Sequence, residues 1–569
     1  MSTTHLTLTT ASLTLLSLVV LALIHSRFKR RLPKDIQGPP STSFWIGAKN
    51  RLKSLIHRRF NSAPIGNEKD IRYQNEVGDQ EFQWLRQYGT AWRAAGCMGE
   101  EVLMVADPKG IQHILQGAGY NYLKSEEDRQ LLRMVSGDGL AWVHGRLAGD
   151  AHRRQRKVMN PAFSAAQLRD FLPLFHKRAA KARLVQRIEE EITNEDTSEP
   201  VLNVAGWLTR VTMDVLGEGT HIVAGFGYEF GATDDRKGDL MKNLEGIFVE
   251  STLYPSKLDL IVKSFFNAIP SGLLYYVRHF PSREYRRSRE WLDFSRTMAR
   301  DIVRKSEARV DGKDVMSVLI RANASEDPKS QLSQTEVIDQ IATLILAGTD
   351  TTSITASWIL LEIARHPEAQ IKIRDEIHAA RVRVTARGDT EFTIADLEGL
   401  TLLQCAMKEG MRLHPITWQL TRLAGMDDVI PLANPITTKS GQLSSIAVRK
   451  GTRVKISICA YHRLPSVWGQ DADQWNPARW LNLDNSKQAS VGMYANLLNF
   501  SAGVRSCIGW RFSVIEQSSI LASLLEHFEF ALPDDAMTKP ALRKPSLVMT
   551  PTVEGKQGSW LRLKVKSLA

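Results

Sequence analysis

The sequence predicts a mainly α-helical domain carried behind a single transmembrane helix, and three stretches of the 569-residue chain say so. An apolar run from Leu6 to Ile24 contains no charge. A capped stretch with helical apolar spacing extends from Ser333 to His366-Pro367. A glycine-relieved loop around Cys507 then leads into a further helical pattern that reaches about Leu525.

Composition sets the frame for these elements. Apolar content of 43% and charged content of 24% are ordinary for a globular protein. No Ser/Gly/Pro-rich linker divides the chain after its first hundred or so residues, so one large domain is the simplest organisation. The formal net charge of +12 is high and calls for an anionic counterpart. Neither a basic-aromatic nucleic-acid module nor zinc-finger spacing occurs, which excludes nucleic acid and leaves a membrane surface or an acidic protein. Four cysteines, at 97, 405, 459 and 507, make no CxxC pair and no regular framework, a pattern that fits a reducing compartment.

The run from Leu6 to Ile24 is 19 residues, just long enough to cross a bilayer. It lacks a preceding Lys or Arg and a small-x-small cleavage site after it, which argues against a cleaved signal peptide. Arg27, Lys29, Arg30, Arg31 and Lys34 follow it and predict that the bulk of the chain stays cytosolic. Residues 1–26 are therefore read as an anchor in the membrane lipid, 27–79 as a basic, proline-containing linker, and 80–569 as the main domain. Between 48 and 66 the linker carries Lys49, Arg51, Lys53, Arg58 and Arg59, either a membrane-facing loop or an insertion without function.

Ser333-Gln334-Thr335-Glu336 forms a capping box, and Val337, Ile338, Ile341, Leu344 and Ile345 follow at helical spacing. A helix of about thirty residues would be ~45 Å long. Its middle, Ala347-Gly348-Thr349-Asp350-Thr351-Thr352, suits a helix poorly. Gly348 removes a side chain, and threonine hydroxyls can take carbonyls four residues back, which predicts a bent, hydroxyl-lined groove with one carboxylate. Such a groove gives room for dioxygen and a path for protons. Further on, Glu409 and Arg412 lie at i and i+3 on one face of a helix that ends near Pro415. His462-Arg463-Leu464-Pro465 leads to Trp475-Asn476-Pro477-Ala478-Arg479-Trp480 and delivers another arginine.

The run Phe500-Ser501-Ala502-Gly503-Val504-Arg505-Ser506-Cys507-Ile508-Gly509 carries the sharpest chemistry. Gly503 and Gly509 let the backbone approach a flat macrocycle, and Arg505 is within reach of a carboxylate on its edge. Cys507 sits at the positive end of a helix beginning at Ile508, where dipole and free amides favour thiolate. This is a place to hold a haem iron, and thiolate ligation favours cleavage of a bound O-O bond.

With these motifs in this order the chain resembles the cytochrome P-450 superfamily, specifically a membrane-bound fungal-type member, over roughly residues 80 to 569. The resemblance implies the cytochrome P-450 fold, mainly α with a small β subdomain. It implies haem b with Cys507 as axial thiolate, and Asp350 and Thr351 as the distal acid and alcohol. Phe500 and Gly503 belong to the loop that holds the haem; Arg505, Arg422, Arg156 and His152 would meet its propionates. His152 stands where the family's Trp-x-x-x-Arg helix has tryptophan, a departure from the pattern. Glu409, Arg412 and Arg479 would form the buried charge triad.

The implied activity is insertion of one oxygen atom from O2 into a lipophilic small molecule, a secondary metabolite such as a terpenoid. Fatty acid or alkane hydroxylation is the alternative substrate reading; a haem-thiolate isomerase or dehydratase and a non-catalytic haem protein are the alternatives of other classes. No P-loop or G-x-G-x-x-G fingerprint follows a predicted strand, so electrons would come from a separate NADPH-cytochrome P-450 reductase at the endoplasmic reticulum membrane, with Arg511 near its docking face. By the same analogy the substrate pocket would draw on residues 121 to 148, Phe226 to Tyr276, Ile416 to Leu420 and Met549 to Val553, including Phe248, Leu253, Tyr254, Phe265, Phe266, Ile416 and Trp418.

Overall fold

The computed structural model describes residues 32–40, 65–143, 149–176, 184–195, 199–217, 232, 247, 252–279, 283–307, 315–481, 490–556 and 558–568. The expected anchor, residues 1–26, and all but the last two residues of the 48–66 patch lie outside them. The helices that build the site are α1 (Glu126–Ser136), α2 (Gly149–Met159), α3 (Ala165–Phe175), α4 (Val204–Gly217), α5 (Arg283–Glu307), α6 (Gln334–Arg365), α7 (Thr401–Leu413) and α8 (Trp510–His527). Beside them lies a five-stranded sheet of β1 (Ala91–Ala95), β2 (Glu101–Val105), β3 (Tyr122–Lys124), β4 (Gln419–Ala424) and β5 (Arg453–Ser457), in the order β1-β2-β5-β4-β3. Only the β2/β5 pair is parallel; the other three pairings in this sheet are antiparallel. A helix-rich body with small sheets is what the sequence predicts.

The capping box of α6 is formed: Glu336 N–H donates to the Ser333 hydroxyl and Ser333 N–H donates to the Glu336 carboxylate. Its far end stops at His366, before Pro367, because proline disfavours a helical conformation in the residue that precedes it. Among the described residues α6 alone is long and apolar enough to cross a membrane, but it is mostly buried and forms the centre of the core. The expected bend does not break it, since the helix is continuous through Gly348. A Cβ at Gly348 would lie 2.8 Å from Leu216 Cδ1, so the missing side chain admits α4. Thr351 and Thr355 turn their hydroxyls back to Ala347 O (2.5 Å) and Thr351 O (2.7 Å), which lets polar residues ride in a buried helix.

Glu409 and Arg412 of α7 are both fully buried. Arg412 Nη2 and Nε donate to the two Glu409 oxygens at 2.8 and 2.9 Å, and Arg479 Nε adds a third bond at 3.0 Å. Asn476 N–H (2.9 Å) and Trp480 Nε1 (3.0 Å) fill the remaining lone pairs. Arg412 spends its other hydrogens on the carbonyls of His462, Ala472 and Gln474. The pair is therefore a cross-link between α7 and the 462–480 segment, far from a solvated surface bridge.

Removing one partner of such a network strands the others. Glu409→Gln keeps the shape and leaves Arg412 buried without its counter-charge, so a loss of about 3–5 kcal/mol is expected. Thermal and urea unfolding against the parent chain measures it.

Candidate active site

The Cys507 loop is closed by its own backbone. Cys507 N–H donates to Phe500 O (2.9 Å), Ser506 N–H to Gly503 O (3.1 Å) and Ser501 N–H to Leu498 O (2.9 Å). Gly503 has φ +68°, and a Cβ there would lie 2.0 Å from Leu115 O. The neighbouring 113–117 turn thus requires a glycine here, and Gly503 is not among the residues on the cavity wall. Gly509 does line the cavity. The helix begins two residues later than expected, at Trp510, with Gly509 as its N-cap.

Cys507 opens into a cavity of about 320 Å³. Phe500, Ile508 and Gly509 of the cysteine loop line it, together with Ala347, Gly348 and Thr351 of α6. Burial pushes the thiol above its usual value, outweighing the Gly509 amide and the Arg156 guanidinium, which pull the other way. The amide at the helix end acts in the expected direction, and burial acts against it. Arg156 of α2 donates to Ser506 O (2.6 Å) and to its hydroxyl (3.2 Å), clamping the residue next to the cysteine.

Thr351 and Asp350 part company. Thr351 lines the cavity; Asp350, one residue round the helix, does not, and its carboxyl has no hydrogen-bond or ion-pair partner among the described residues. Burial alone pushes that carboxyl up to about 7.

A cationic rim surrounds the cysteine side. Arg505 donates to Gly119 O and lies over the Tyr120 ring at 5.0 Å, while its Nε and Nη2 are buried without a partner. Arg422 on β4 donates only to Thr421 O (2.8 Å); burial and then Arg505 push it down to about 10. His152 of α2 is buried against Tyr120 (Nδ1 to OH, 3.2 Å), and burial, Lys124, Arg505 and Arg156 push it down to about 3, so it is neutral. Lys124, absent from the sequence reading, belongs to the same cluster and stands directly across the β3/β4 ladder from Arg422. The signal that finds it is strand register, which needs the sheet to be known.

This cluster tests whether haem suits the site. Guanidinium hydrogens without acceptors, facing like charges beside a cysteine-bearing cavity, match a flat group that brings its own carboxylates. The residues present fit it.

The expected substrate walls are met in part. Ile416 and Leu420 line the cavity, joined by Phe163, Leu216 and Val315, which sequence reasoning missed because they come from separate elements. Trp418 turns inward and donates to Ser546 O (2.8 Å). Tyr254 is exposed and stacks on Tyr73, and Phe266 is buried away from the cavity. Leu253, Phe265 and the Met549–Val553 loop are likewise not on its walls, nor is any described residue from 121 to 148. Phe248 lies outside the described residues.

A sequence profile of the cytochrome P450 family matches residues 63–556. Among curated relatives, the cytochrome P450 monooxygenase claU of Ampulloclitocybe clavipes is 30% identical over 96% of this chain and 95% of its own length. Ganoderic acid synthetase of Ganoderma lucidum is 33% identical, with 96% of each chain covered. Cytochrome P450 monooxygenase 81 of Postia placenta is 30% identical over 96% of this chain and 95% of its own. The family profile spans both the cysteine loop and the long helix that faces it, and with relatives matched nearly end to end the chain belongs to the cytochrome P450 family, as an oxidoreductase of the monooxygenase kind.

Proposed function

We propose that Cys507 is the axial thiolate of haem b and that the enzyme inserts one oxygen atom from O2 into a lipophilic secondary metabolite such as a terpenoid. The observation that carries this reading is that Cys507 and Thr351, from separate elements, line one cavity. Bound haem would supply the redox chemistry of dioxygen activation. The chain's own residues do the rest. The apolar walls, Phe163, Val315, Ile416 and Leu420, exclude water and favour a lipophilic substrate. Thr351 gives its hydrogen to Ala347 O and so presents lone pairs to the cavity, where it can accept a hydrogen bond and hold a proton donor in place. Asp350, held near neutrality by burial, is the reservoir that passes protons toward that hydroxyl through water.

Arg505, Arg422 and Arg156 with neutral His152 form the cradle for the propionates. Glu409, Arg412 and Arg479 keep the segment behind the cysteine in register. Fungal relatives, one of them named for ganoderic acid, support a secondary-metabolite substrate. Residues 6–24 hold the chain in the endoplasmic reticulum membrane, with the domain cytosolic. NADPH-cytochrome P-450 reductase supplies electrons, docking near the exposed Arg511, which lies over Trp510 at 5.0 Å.

The reduced carbon monoxide difference spectrum tests the thiolate. A Soret band typical of histidine-ligated haem overturns the reading, and Cys507→Ala is expected to abolish the thiolate band. Membranes holding the enzyme and reductase, incubated with terpenoids and with fatty acids, are expected to add one oxygen atom in mass to the former.

Two further outcomes follow from the groove. Thr351→Ala is expected to keep NADPH consumption while product per NADPH falls severalfold, read as a rise in peroxide. Asp350 is a usable acid only while protonated, so with its carboxyl near 7 product formation is expected to be full below that value and to decline as pH rises through it. Asp350→Asn is expected to remove this limb and to slow turnover by roughly a hundredfold.

A further inference from the structure

Helix α8 carries four successive polar residues through the core, Glu516, Gln517, Ser518 and Ser519, none of them more than 1% exposed. Neither oxygen of Glu516 has a hydrogen-bond partner among the described residues, nor has Oε1 of Gln517. One turn earlier Ser513 lies on the cavity wall. It accepts from Gln517 Nε2 (2.8 Å) and shares a hydrogen bond of 3.0 Å with Thr352 of α6, which lines the same cavity. One turn later Ser519 meets Nδ1 of the buried His176, just past α3, at 3.2 Å. The other ring nitrogen donates to Phe392 O (2.7 Å), so in the neutral ring Nδ1 is the acceptor and Ser519 the donor. Nδ1 also stands 3.9 Å from the carboxylate of Glu391, whose side chain is 35% exposed. Glu516 is three residues from each serine, the spacing that makes side chains neighbours on a helix surface. Polar groups therefore run from solvent at Glu391 to the cavity at Thr352, with one unpartnered carboxyl in the middle.

Resting on the haem reading above, we propose that Glu516 is a second proton-holding residue of the enzyme, which acts on the cavity through Ser513 and Thr352. Three acceptor oxygens on adjacent buried side chains are costly when no donor meets them. A proton on the carboxyl, with ordered water shared by Glu516, Gln517 and Ser513, supplies those donors. Burial pushes the carboxyl well above its ordinary value, in keeping with a proton held there near neutrality. Transfer is a relay. The carboxyl gives its proton toward Ser513, each hydroxyl takes one proton and releases its own, and Thr352 releases one to water in the cavity. The carboxylate left behind regains a proton from solvent through Ser519 and His176 Nδ1. Insertion of one oxygen atom from O2 consumes two protons and two electrons and releases one water. The electrons come from the reductase, and the protons reach the cavity from two helices, from Asp350 on α6 and Glu516 on α8.

Infrared spectroscopy of the intact holoenzyme at neutral pH, in H2O and in D2O, tests the acid. The parent-minus-Glu516→Gln difference is expected to contain a protonated-carboxyl band that shifts in D2O, and the same band is expected when Asp350→Asn takes the parent's place. Its exchange into D2O is expected to slow severalfold in Ser519→Ala, which breaks the solvent side of the relay. Oxygen consumption with NADPH and the reductase tests the cavity side. Ser513→Ala is expected to consume oxygen severalfold more slowly than the parent and with a larger solvent isotope effect, and Ser513→Thr, which keeps the hydroxyl, to restore both. The carbon monoxide spectrum of each variant shows that it is folded and loaded. A difference spectrum without the carboxyl band overturns the proposal, as do Ser513→Ala and Ser513→Thr chains that behave alike. A parent chain with no thiolate band overturns the haem reading instead, so the two failures are distinct.

Discussion

The carboxylate of Glu409 holds the architecture behind the site. Five donors converge on it, two from Arg412 and one each from Arg479, Asn476 and Trp480. Because the group is fully buried, each missing donor would leave a charge in a medium that cannot solvate it, so the donors specify one arrangement of α7 against the 462–480 segment. From there the constraint reaches the cysteine. Arg412 donates to His462 O, and the His462 ring accepts the Leu498 amide (3.0 Å), which needs a neutral imidazole. Burial and then Arg412 keep it so, pushing the ring well below its ordinary value. Asn499 then donates to Met411 O (3.0 Å), and Phe500 begins the loop that ends at Cys507. The cysteine loop is tied by a chain of hydrogen bonds that starts at one carboxylate.

The two sides of the fold treat charge oppositely. Behind the loop, cations are matched to Glu409 and Asp471 and the network is closed. On the rim, Arg505, Arg422 and Lys124 hydrogen-bond to carbonyls and to no carboxylate among the described residues, and burial lowers all three, with neighbouring cations adding to it for Arg422 and Lys124. A protein can carry such a rim only if the adverse energy is offset elsewhere or relieved by a ligand. The closed network stabilises, and on the proposed reading the open one would bind the cofactor's carboxylates.

Much of this was legible in the sequence where chemistry is local. The capping box of α6, its stop before Pro367 and the i, i+3 pair Glu409–Arg412 depend on near neighbours, and they form as read. At Gly503 the requirement is only half local: its positive φ belongs to the loop, but the atom that forbids a side chain, Leu115 O, is almost four hundred residues away in sequence. Lys124 was invisible because its meaning lies in its register with Arg422. The cavity walls were only partly legible, since Phe163 and Val315 reach it from short, unremarkable segments with no periodic signature.

Thr351 and Asp350 show how one helix serves two needs. A hydroxyl on the cavity wall must be reachable, and a carboxyl that stays protonated near neutrality must be kept from water. Neighbours on α6 differ here: Thr351 lines the cavity that holds Cys507, and Asp350 does not. The helix pays little for this, because Thr351 satisfies itself on Ala347 O and the gap at Gly348 is filled by Leu216. On the proposed reading, proton supply and substrate packing would fall to adjacent faces of α6. A change in the apolar walls can alter which molecule is accepted while the threonine and the aspartate stay in place.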